Sequence, residues 1–340
     1  MRIDYITSYK FARISDFVFS EVVTKQQFND LKPDNIDILY ENNSHICYQK
    51  KEIKISDHSI IFCINSSLEV LFHYVKKENI KDLVLITNQT DDKISKSIFK
   101  KLPKQFSNWY SINVDCIDER LHPIPLGMSN GYEKSLSFKN ENLLIDLNQF
   151  TIKKENLLYL SFEDNTNIRE RNGLKDYFKK YDWVKIINGK NELTEYGDDL
   201  KNSNFVLCPQ GNGIDTHRIW EALYFGAIPI VKNQTGLKKF SELPIMYVDS
   251  FSDITKDSLI SFLENLIVKD LEQIKFQYWR EKILSKKTIS PNFVNIKIDN
   301  NYLKYLNKKE NIKKIFFKGI NGYFRLIYKI KTKLKILFKK

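Results

Sequence analysis

The residues best suited to do chemistry lie in residues 204–231, where two closely spaced glycines are followed by a histidine, an arginine and a glutamate. The pattern predicts a strand, a glycine loop, a helix and a second strand. Gly211 and Gly213 allow the backbone to approach a ligand closely and to adopt a positive φ. The loop and the start of the helix present free N–H groups and the positive end of the helix dipole, which together suit a phosphate. The segment therefore predicts an anion site.

Side chains in the first turns of the predicted helix extend this interpretation. Arg218 can offer a phosphate a bidentate charged contact. Glu221 follows three residues later, on nearly the same face as Arg218 and His217, where a carboxylate can accept hydrogen bonds from ribose hydroxyls. Asp215 or Thr216 can cap the helix. A surface ion pair between Arg218 and Glu221 is the alternative, but three polar residue types gathered behind one glycine loop favour the anion site.

Short apolar runs alternate with helical patterns along most of the chain. Strands are predicted over residues 60–64, 83–87, 109–114, 122–126, 157–162, 184–187, 205–208, 228–231 and 245–248, and helices over residues 67–77, 94–102, 169–181, 193–202, 216–225, 256–267 and 273–284. This rhythm is typical of parallel sheets covered by helices. The polar stretch 135–148 divides it, so we expect an α/β fold of two Rossmann-like domains, 1–148 and 149–303, that face each other across a cleft. Ligands of such sheets bind beyond the carboxyl ends of the strands.

The segment 204–231 resembles the donor-binding motif of exostosin-like glycosyltransferases. In that motif a Pro-x-Gly-x-Gly-x-Asp-Thr-His-Arg-x-Trp-Glu-Ala-Leu pattern precedes a Gly-x-Ile-Pro-Ile strand, and both are present here from Pro209 to Ile230. Residues 83–91, 109–113, 123–130 and 157–171 resemble further segments of bacterial members. The resemblance covers roughly residues 60–285. It implies the GT-B fold, with an N-terminal acceptor domain and a C-terminal nucleotide-sugar domain.

The resemblance also implies roles for individual residues. Arg218 would hold the donor diphosphate and Glu221 the ribose. The phosphate and sugar pocket would be lined by Gly211, Asn212, Gly213, Asp215, Thr216 and His217. Arg171, with Arg169 beside it, would clamp the leaving group, on which negative charge develops as the glycosidic bond breaks; a solvated helix start is the alternative for both. Gln210 stands where many members carry Arg, so one phosphate contact is missing or supplied elsewhere.

An inverting transfer needs a general base near the acceptor hydroxyl. Asp91, just past the strand 83–87, is the first candidate, and Asp118 and Glu119 are the next. Neither Asp91-Asp92 nor Asp198-Asp199 forms an Asp-x-Asp motif that would hold a metal. We therefore expect no essential metal and no cofactor, since the nucleotide-sugar is a substrate.

Charge divides the chain at residue 304. Residues 304–340 hold thirteen basic residues and one acidic residue, and so account for the whole net charge of +12, while residues 1–303 hold 41 of each sign. Apolar residues recur at three- and four-residue steps from Ile312 to Leu337, which predicts a basic amphipathic helix. Such a helix binds an anionic membrane surface. Two alternatives are a disordered solubilising arm, which the regular apolar stripe disfavours, and nucleic-acid binding, which is disfavoured because the neutral body has no second basic surface.

The sequence predicts neither a secretory signal nor a membrane-spanning segment. The first residues mix charges into the apolar ones, unlike a secretory signal, and no run approaches the ~20 apolar residues that span a bilayer. The four cysteines show no CxxC spacing. These patterns predict a cytoplasmic protein, peripheral on the inner face of the plasma membrane.

Taken together, the residues and the resemblance predict a glycosyltransferase of polysaccharide biosynthesis. It would move a sugar from a nucleotide-sugar donor to a hydroxyl of a surface-glycan or lipid-linked acceptor, without nucleic acid as a partner. Another GT-B nucleotide-sugar enzyme, such as an epimerase, is one alternative. A non-enzymatic adaptor with a basic tail for nucleic acid or membrane is the other.

Overall fold

A computed structural model of the chain describes residues 4–129, 147–151, 153–189, 192–285, 287, 290, 292–299 and 302. The predicted amphipathic helix of residues 304–340 and nearly all of the polar stretch 135–148 lie outside this part of the chain. None of the described helices is long and apolar enough to cross a bilayer.

Strands outnumber helices in the N-terminal half, whereas strands and helices mostly alternate in the C-terminal half. The strands are β1 (Phe17–Val18), β2 (Ser20–Thr24), β3 (Ile36–Glu41), β4 (His45–Lys50), β5 (Glu52–Ser56), β6 (Ile60–Cys63), β7 (Leu83–Thr87), β8 (Phe106–Ser111), β9 (Leu121–Pro123), β10 (Asn156–Leu160), β11 (Val184–Ile186), β12 (Ser203–Leu207), β13 (Ile228–Lys232), β14 (Met246–Val248) and β15 (Phe293–Lys297). The α-helices are α1 (Ser8–Arg13), α2 (Lys25–Leu31), α3 (Leu68–Val75), α4 (Lys96–Phe99), α5 (Ile168–Arg171), α6 (Leu174–Phe178), α7 (Leu193–Lys201), α8 (His217–Tyr224), α9 (Lys256–Glu264) and α10 (Phe276–Leu284).

The first large sheet has the order β1-β6-β7-β8-β9, and every neighbouring pair is parallel. Its central strand β7 is buried along its whole length. Successive residues face different cores: Leu85 packs in the cluster that contains α3, and Ile86 packs in the cluster that contains α8. A strand covered on both faces reads as an unbroken apolar run, which is why residues 83–87 could be predicted as a strand.

The second large sheet has the order β11-β10-β12-β13-β14 and is also parallel throughout. The chain runs from β10 outward to β11 and then returns to β12 on the other side of β10. In doubly wound sheets this reversal of strand order opens a crevice at the carboxyl ends of the two strands. The two parallel sheets confirm the predicted α/β class and are consistent with Rossmann-like units.

The N-terminal region contains elements that the sequence did not indicate. Strands β2, β4 and β3 form a three-stranded antiparallel sheet. Strand β5 pairs antiparallel with β15, which lies more than 230 residues later, with Ser56 opposite Phe293. At α10 the chain also contacts the N-terminus, since the Phe276 N–H donates to the Asp4 carbonyl over 3.0 Å. Both α10 and the last described strand therefore contact the N-terminal part of the chain.

The helix predicted over residues 169–181 is wrong as a single element. It is observed as two short helices, α5 and α6, because Gly173 between them has φ +80°, outside the helical region. The strand predicted over residues 109–114 is shifted toward the N-terminus and ends at Ser111. Two residues beyond that end, Asn113 has φ +54°, which stops an extended strand.

Candidate functional site

A cavity of about 320 Å³ lies at the carboxyl ends of strands from both large sheets. Its walls come from the loops that follow β7, β9, β10 and β12. The lining residues are Gln89, Thr90, Asp91, Leu126, Thr166, Arg171, Gly211, Asn212, Gly213, Asp215, Thr216 and His217. The volume is within the range of small-molecule sites. The cavity adjoins the crevice between β10 and β12, where the strand order of the second sheet reverses.

The glycine loop is held against the first sheet by Asn113. A Cβ atom on Gly213 would lie 2.8 Å from both polar atoms of the Asn113 amide, so a larger residue there would have to displace that amide. The amide accepts from the Asp215 N–H over 2.8 Å and donates to the Thr90 carbonyl over 2.9 Å, and a displacement would disturb both hydrogen bonds. The positive φ expected at Gly211 and Gly213 is not observed; Asn113 has a positive φ instead, and its close contact favours glycine at 213.

Asp215 connects the two sheets and does not cap α8. Its carboxylate accepts from the Leu126 N–H and from the Trp220 indole N–H, each over 2.8 Å. Burial raises the pKa of Asp215 to about 7, against the opposing effect of these hydrogen bonds. The N-cap position is occupied by Thr216, whose hydroxyl makes no capping bond. The predicted role of Asp215 in lining the site is compatible with its place in the cavity wall.

His217, the first residue of α8, is fixed through one ring nitrogen. Its Nδ1 lies 2.7 Å from the Gly127 carbonyl oxygen. Because a carbonyl can only accept, Nδ1 carries the proton, and Nε2 of the neutral ring is left as an acceptor. The side chain lines the cavity, so His217 can accept a proton or a hydrogen bond there.

Arg171 is buried and holds two loops of the second sheet together through hydrogen bonds. Its guanidinium donates to the carbonyls of Gln210 over 2.8 Å, Glu163 over 2.9 Å and Pro209 over 3.3 Å. Only 5% of the residue is exposed. Burial, and secondarily the charge of Arg218, lower the pKa of Arg171 to about 10. The side chain borders the cavity, but three of its N–H groups are already used to hold the loop.

Arg218 and Lys175 approach the aromatic ring of Phe162, which Arg171 also approaches. The guanidinium carbons of Arg218 and Arg171 lie 5.9 Å and 5.6 Å from the centre of the Phe162 ring, and the Lys175 ammonium lies 5.2 Å from it. Three cations around one ring create a positive region beside the start of α8. In contrast to Arg171, Arg218 has a buried Nε that finds no protein partner among the described residues.

Glu221 lies one turn into α8 and is 4% exposed. Its Oε2 accepts from the Tyr196 hydroxyl over 2.7 Å, while Oε1 is buried without a partner in the described part of the chain. Burial, and next the charge of Glu221, raise the pKa of Tyr196 well above its usual value, so this hydroxyl stays a donor.

Three buried polar atoms on or beside the first turns of α8 thus lack a protein partner within the described ranges: Thr216 Oγ1, Arg218 Nε and Glu221 Oε1. Buried polar atoms are nearly always hydrogen-bonded, and an orphan cluster is costly. One hydroxyl, one cationic donor and one carboxylate oxygen match a ligand that carries phosphate and hydroxyl groups.

The remaining candidates are spread more widely. Asp91 lines the cavity, and its Oδ2 accepts from the Asn212 amide across the two sheets over 3.2 Å. Asp118 instead binds the N–H of Arg120 over 3.0 Å, and Glu119 is exposed; neither lines the cavity. Arg169 is exposed and also absent from the cavity wall. Among the described residues no group of three His, Cys, Asp or Glu side chains is arranged to hold a metal.

Several residues in the wall or bonded to it were not predicted. Gln89 lines the cavity with φ +63°, and Asn167 donates to the Gly211 carbonyl over 2.7 Å. Positive φ at non-glycine residues is enriched at functional sites but leaves no mark in the sequence. The sequence signal that could have found Gln89 is its position, because polar residues directly follow the apolar strand β7.

Comparisons with known proteins match the same part of the chain. A family model described as the RXYLT1 C-terminal domain matches residues 170–242, which include Arg171, the glycine loop and α8. A probable glycosyltransferase of Arabidopsis thaliana is 35% identical over 74 residues, 22% of this chain and 14% of its own length. A second probable glycosyltransferase of Arabidopsis thaliana is 25% identical over 118 residues, 33% of this chain and 25% of its own length.

These matches span no more than a quarter of either relative, so they bear on the segment and not on a whole protein. The segment contains the glycine loop of the cavity wall and, further along α8, Arg218 and Glu221, which are not among the residues that line the cavity. The similarity supports an exostosin-like glycosyltransferase relationship for the part of the chain that carries this site.

Proposed function

We propose that this chain is a glycosyltransferase of GT-B organisation that uses a nucleotide-sugar donor. The observation that carries the proposal is the set of three unpartnered buried polar atoms at the start of α8, on Thr216, Arg218 and Glu221. They lie on the helix that follows the glycine loop of the cavity wall. A nucleoside diphosphate offers phosphate oxygens to the hydroxyl and the guanidinium, and ribose hydroxyls to the carboxylate.

We propose the N-terminus of α8 as the site of the donor diphosphate. The positive end of the helix dipole favours an anion there. Arg218 adds a charged contact and stays available because its Nε has no protein partner among the described residues. Arg171 adds positive potential while it holds the loop, so its contribution to the leaving group is partly electrostatic. The ribose binds Glu221.

The reaction exchanges one bond at the anomeric carbon. The bond from that carbon to the donor phosphate oxygen breaks, and its electron pair leaves with the nucleoside diphosphate. The acceptor hydroxyl oxygen forms the new bond and gives its proton to a base. Of the three carboxylates predicted as base, Asp91 is the one in the cavity wall, and we propose it for this role. His217 Nε2 is a second proton acceptor in the same wall.

The acceptor enters from the side of the first sheet, past the loop that contains Asp91. We propose a surface-glycan or lipid-linked acceptor, because residues 304–340 carry the net charge of +12 and an apolar stripe suited to an anionic membrane surface. On this proposal the enzyme works at the inner face of the plasma membrane, without an essential metal.

A thermal-shift screen tests the donor half of the proposal. UDP-, GDP-, CMP- and dTDP-sugars are added to the wild-type chain and to Glu221→Gln. At a hundred times the dissociation constant, a bound ligand stabilises by about 2.7 kcal/mol. We expect one nucleotide class to raise the wild-type melting temperature and to have less effect on the variant. No stabilisation by any nucleotide-sugar would count against the proposed function.

The membrane half is tested separately by vesicle flotation. Full-length protein and residues 1–303 are mixed with vesicles of pure phosphatidylcholine or with 30% phosphatidylserine. We expect only the full-length protein to float, and only with the anionic vesicles. Equal flotation of both proteins would contradict the assignment of membrane binding to residues 304–340.

A further inference from the structure

Tyr196, on α7, is in contact with the candidate site from behind. Its hydroxyl donates to Glu221 Oε2 over 2.7 Å, across 25 positions of sequence. The residue is absent from the cavity wall. Its ring packs near Tyr159 of β10, with ring centres 6.3 Å apart. Glu221 is not in the cavity wall either, but it lies one turn along α8 from the wall residues Thr216 and His217, and its Oε1 is buried without a partner among the described residues.

The hydrogen bond treats the two carboxylate oxygens of Glu221 differently. Oε2 is occupied by the tyrosine, while Oε1 is buried and has no partner among the described residues. A glutamate side chain is flexible, and its terminal torsion is broad and roughly two-fold. A donor fixed on one oxygen removes this freedom and sets the direction in which the other oxygen accepts.

We propose that Tyr196 is a positioning residue for nucleotide recognition, which holds Glu221 Oε2 so that Oε1 accepts a hydrogen bond from a ribose hydroxyl. The proposal rests on the proposed function, since it requires a nucleotide at the start of α8. It adds a specificity: the site distinguishes nucleotides by their ribose hydroxyls, and the distinction depends on a residue outside the cavity.

Titration calorimetry on the full chain tests the inference. The probes are UDP, GDP and CDP, and then the tightest of the three beside its 2′,3′-dideoxy counterpart. The proteins are the wild type, Tyr196→Phe and Tyr177→Phe. Tyr177 is a matched control, because its hydroxyl donates over 3.1 Å to a backbone carbonyl, that of Ser252.

We expect the wild type and Tyr177→Phe to bind the ribonucleotide at least tenfold more tightly than the dideoxy nucleotide. Tyr196→Phe should weaken the ribonucleotide about five- to tenfold and leave the dideoxy nucleotide unchanged, so that the preference shrinks. Equal weakening of both nucleotides would show a merely structural role and overturn the inference. So would an unchanged preference in Tyr196→Phe.

Glu221→Gln, alone and combined with Tyr196→Phe, provides a second test in case Tyr196→Phe by itself folds poorly. If Tyr196 acts through Glu221, the tyrosine substitution has no further effect on the ribose preference once Glu221 is changed. An additive effect of the two substitutions would overturn the inference. A wild type that binds none of the three nucleotides refutes the proposed function itself, whereas a wild type that binds them without ribose preference refutes only this inference.

Discussion

The substitutions Arg171→Met and Arg218→Met should separate two arginines that the sequence assigns to the same diphosphate. Methionine keeps an unbranched stem against Phe162 and removes the guanidinium in both cases. Arg171 loses three hydrogen bonds to backbone carbonyls, at 2.8, 2.9 and 3.3 Å. At about 1 kcal/mol each, the loss is about 3 kcal/mol. For a domain of 150–250 residues this lowers the melting temperature by about 6–12 °C.

Arg218→Met is expected to behave in the opposite way. Its Nε has no hydrogen bond to lose within the described residues, and removal of the charge relieves the repulsion that helps to lower the pKa of Arg171. The free energy of unfolding should change by less than about 1 kcal/mol. Loss of a charge-assisted contact of about 1.5–3 kcal/mol should weaken nucleotide binding about 10- to 150-fold.

The assay is differential scanning fluorimetry with and without the best-binding nucleotide, followed by titration calorimetry well below either melting temperature. The expected pattern is a destabilised Arg171→Met and a stable, poorly binding Arg218→Met. Equal destabilisation of Arg218→Met and Arg171→Met would contradict these separate roles, and so would an Arg171→Met that melts at the wild-type temperature.

Three further predictions concern the loop, the buried acid and the end of α8. Gly213→Ala should lower both the melting temperature and nucleotide affinity, because the new Cβ would lie 2.8 Å from the Asn113 amide, whereas Gly211→Ala in the same loop meets nothing closer than 3.4 Å and should fold normally. The pKa of Asp215 is raised to about 7, so between about pH 4 and about pH 7 the folded state holds a proton that the unfolded state lacks. The free energy of unfolding of the wild type, measured by chemical denaturation relative to Asp215→Asn, should therefore fall as pH rises from about 4 to about 7. Tyr224→Phe removes a hydroxyl that accepts from one backbone N–H and donates to one carbonyl, each over 2.9 Å, and should cost about 1–3 kcal/mol in urea unfolding while nucleotide affinity is kept.

The parallel strands could be predicted where burial is complete. Strand β7 was predicted with its observed bounds, because four of its five residues are apolar, in keeping with the burial of all five. The antiparallel strand β4 was missed although its four central residues are buried, since they include Gln49 and are flanked by a histidine and a lysine. Pairing with β2 and β3 creates this strand, and such long-range pairing overrides a weak local pattern.

The candidate site was predictable to the extent that its residues share one helix. Arg218 and Glu221 are three positions apart, so helical periodicity alone brings them together. The hydrogen bonds of Arg171 to the loop carbonyls and the contact of Tyr196 with Glu221 depend on tertiary packing, and the sequence contains no sign of either. Gly213 was recognised as a special position, but the positive φ expected there is not observed; a Cβ at 213 would instead lie 2.8 Å from the Asn113 amide.

Titration calorimetry of the best-stabilising nucleotide-sugar with the wild type and Glu221→Gln tests whether a nucleotide binds at the start of α8. We expect a one-to-one complex with the wild type and at least tenfold weaker binding to Glu221→Gln, with the unfolding curves of both proteins superimposed. Equal affinity of the two proteins, or no binding to the wild type at millimolar ligand, would contradict a nucleotide site at the start of α8.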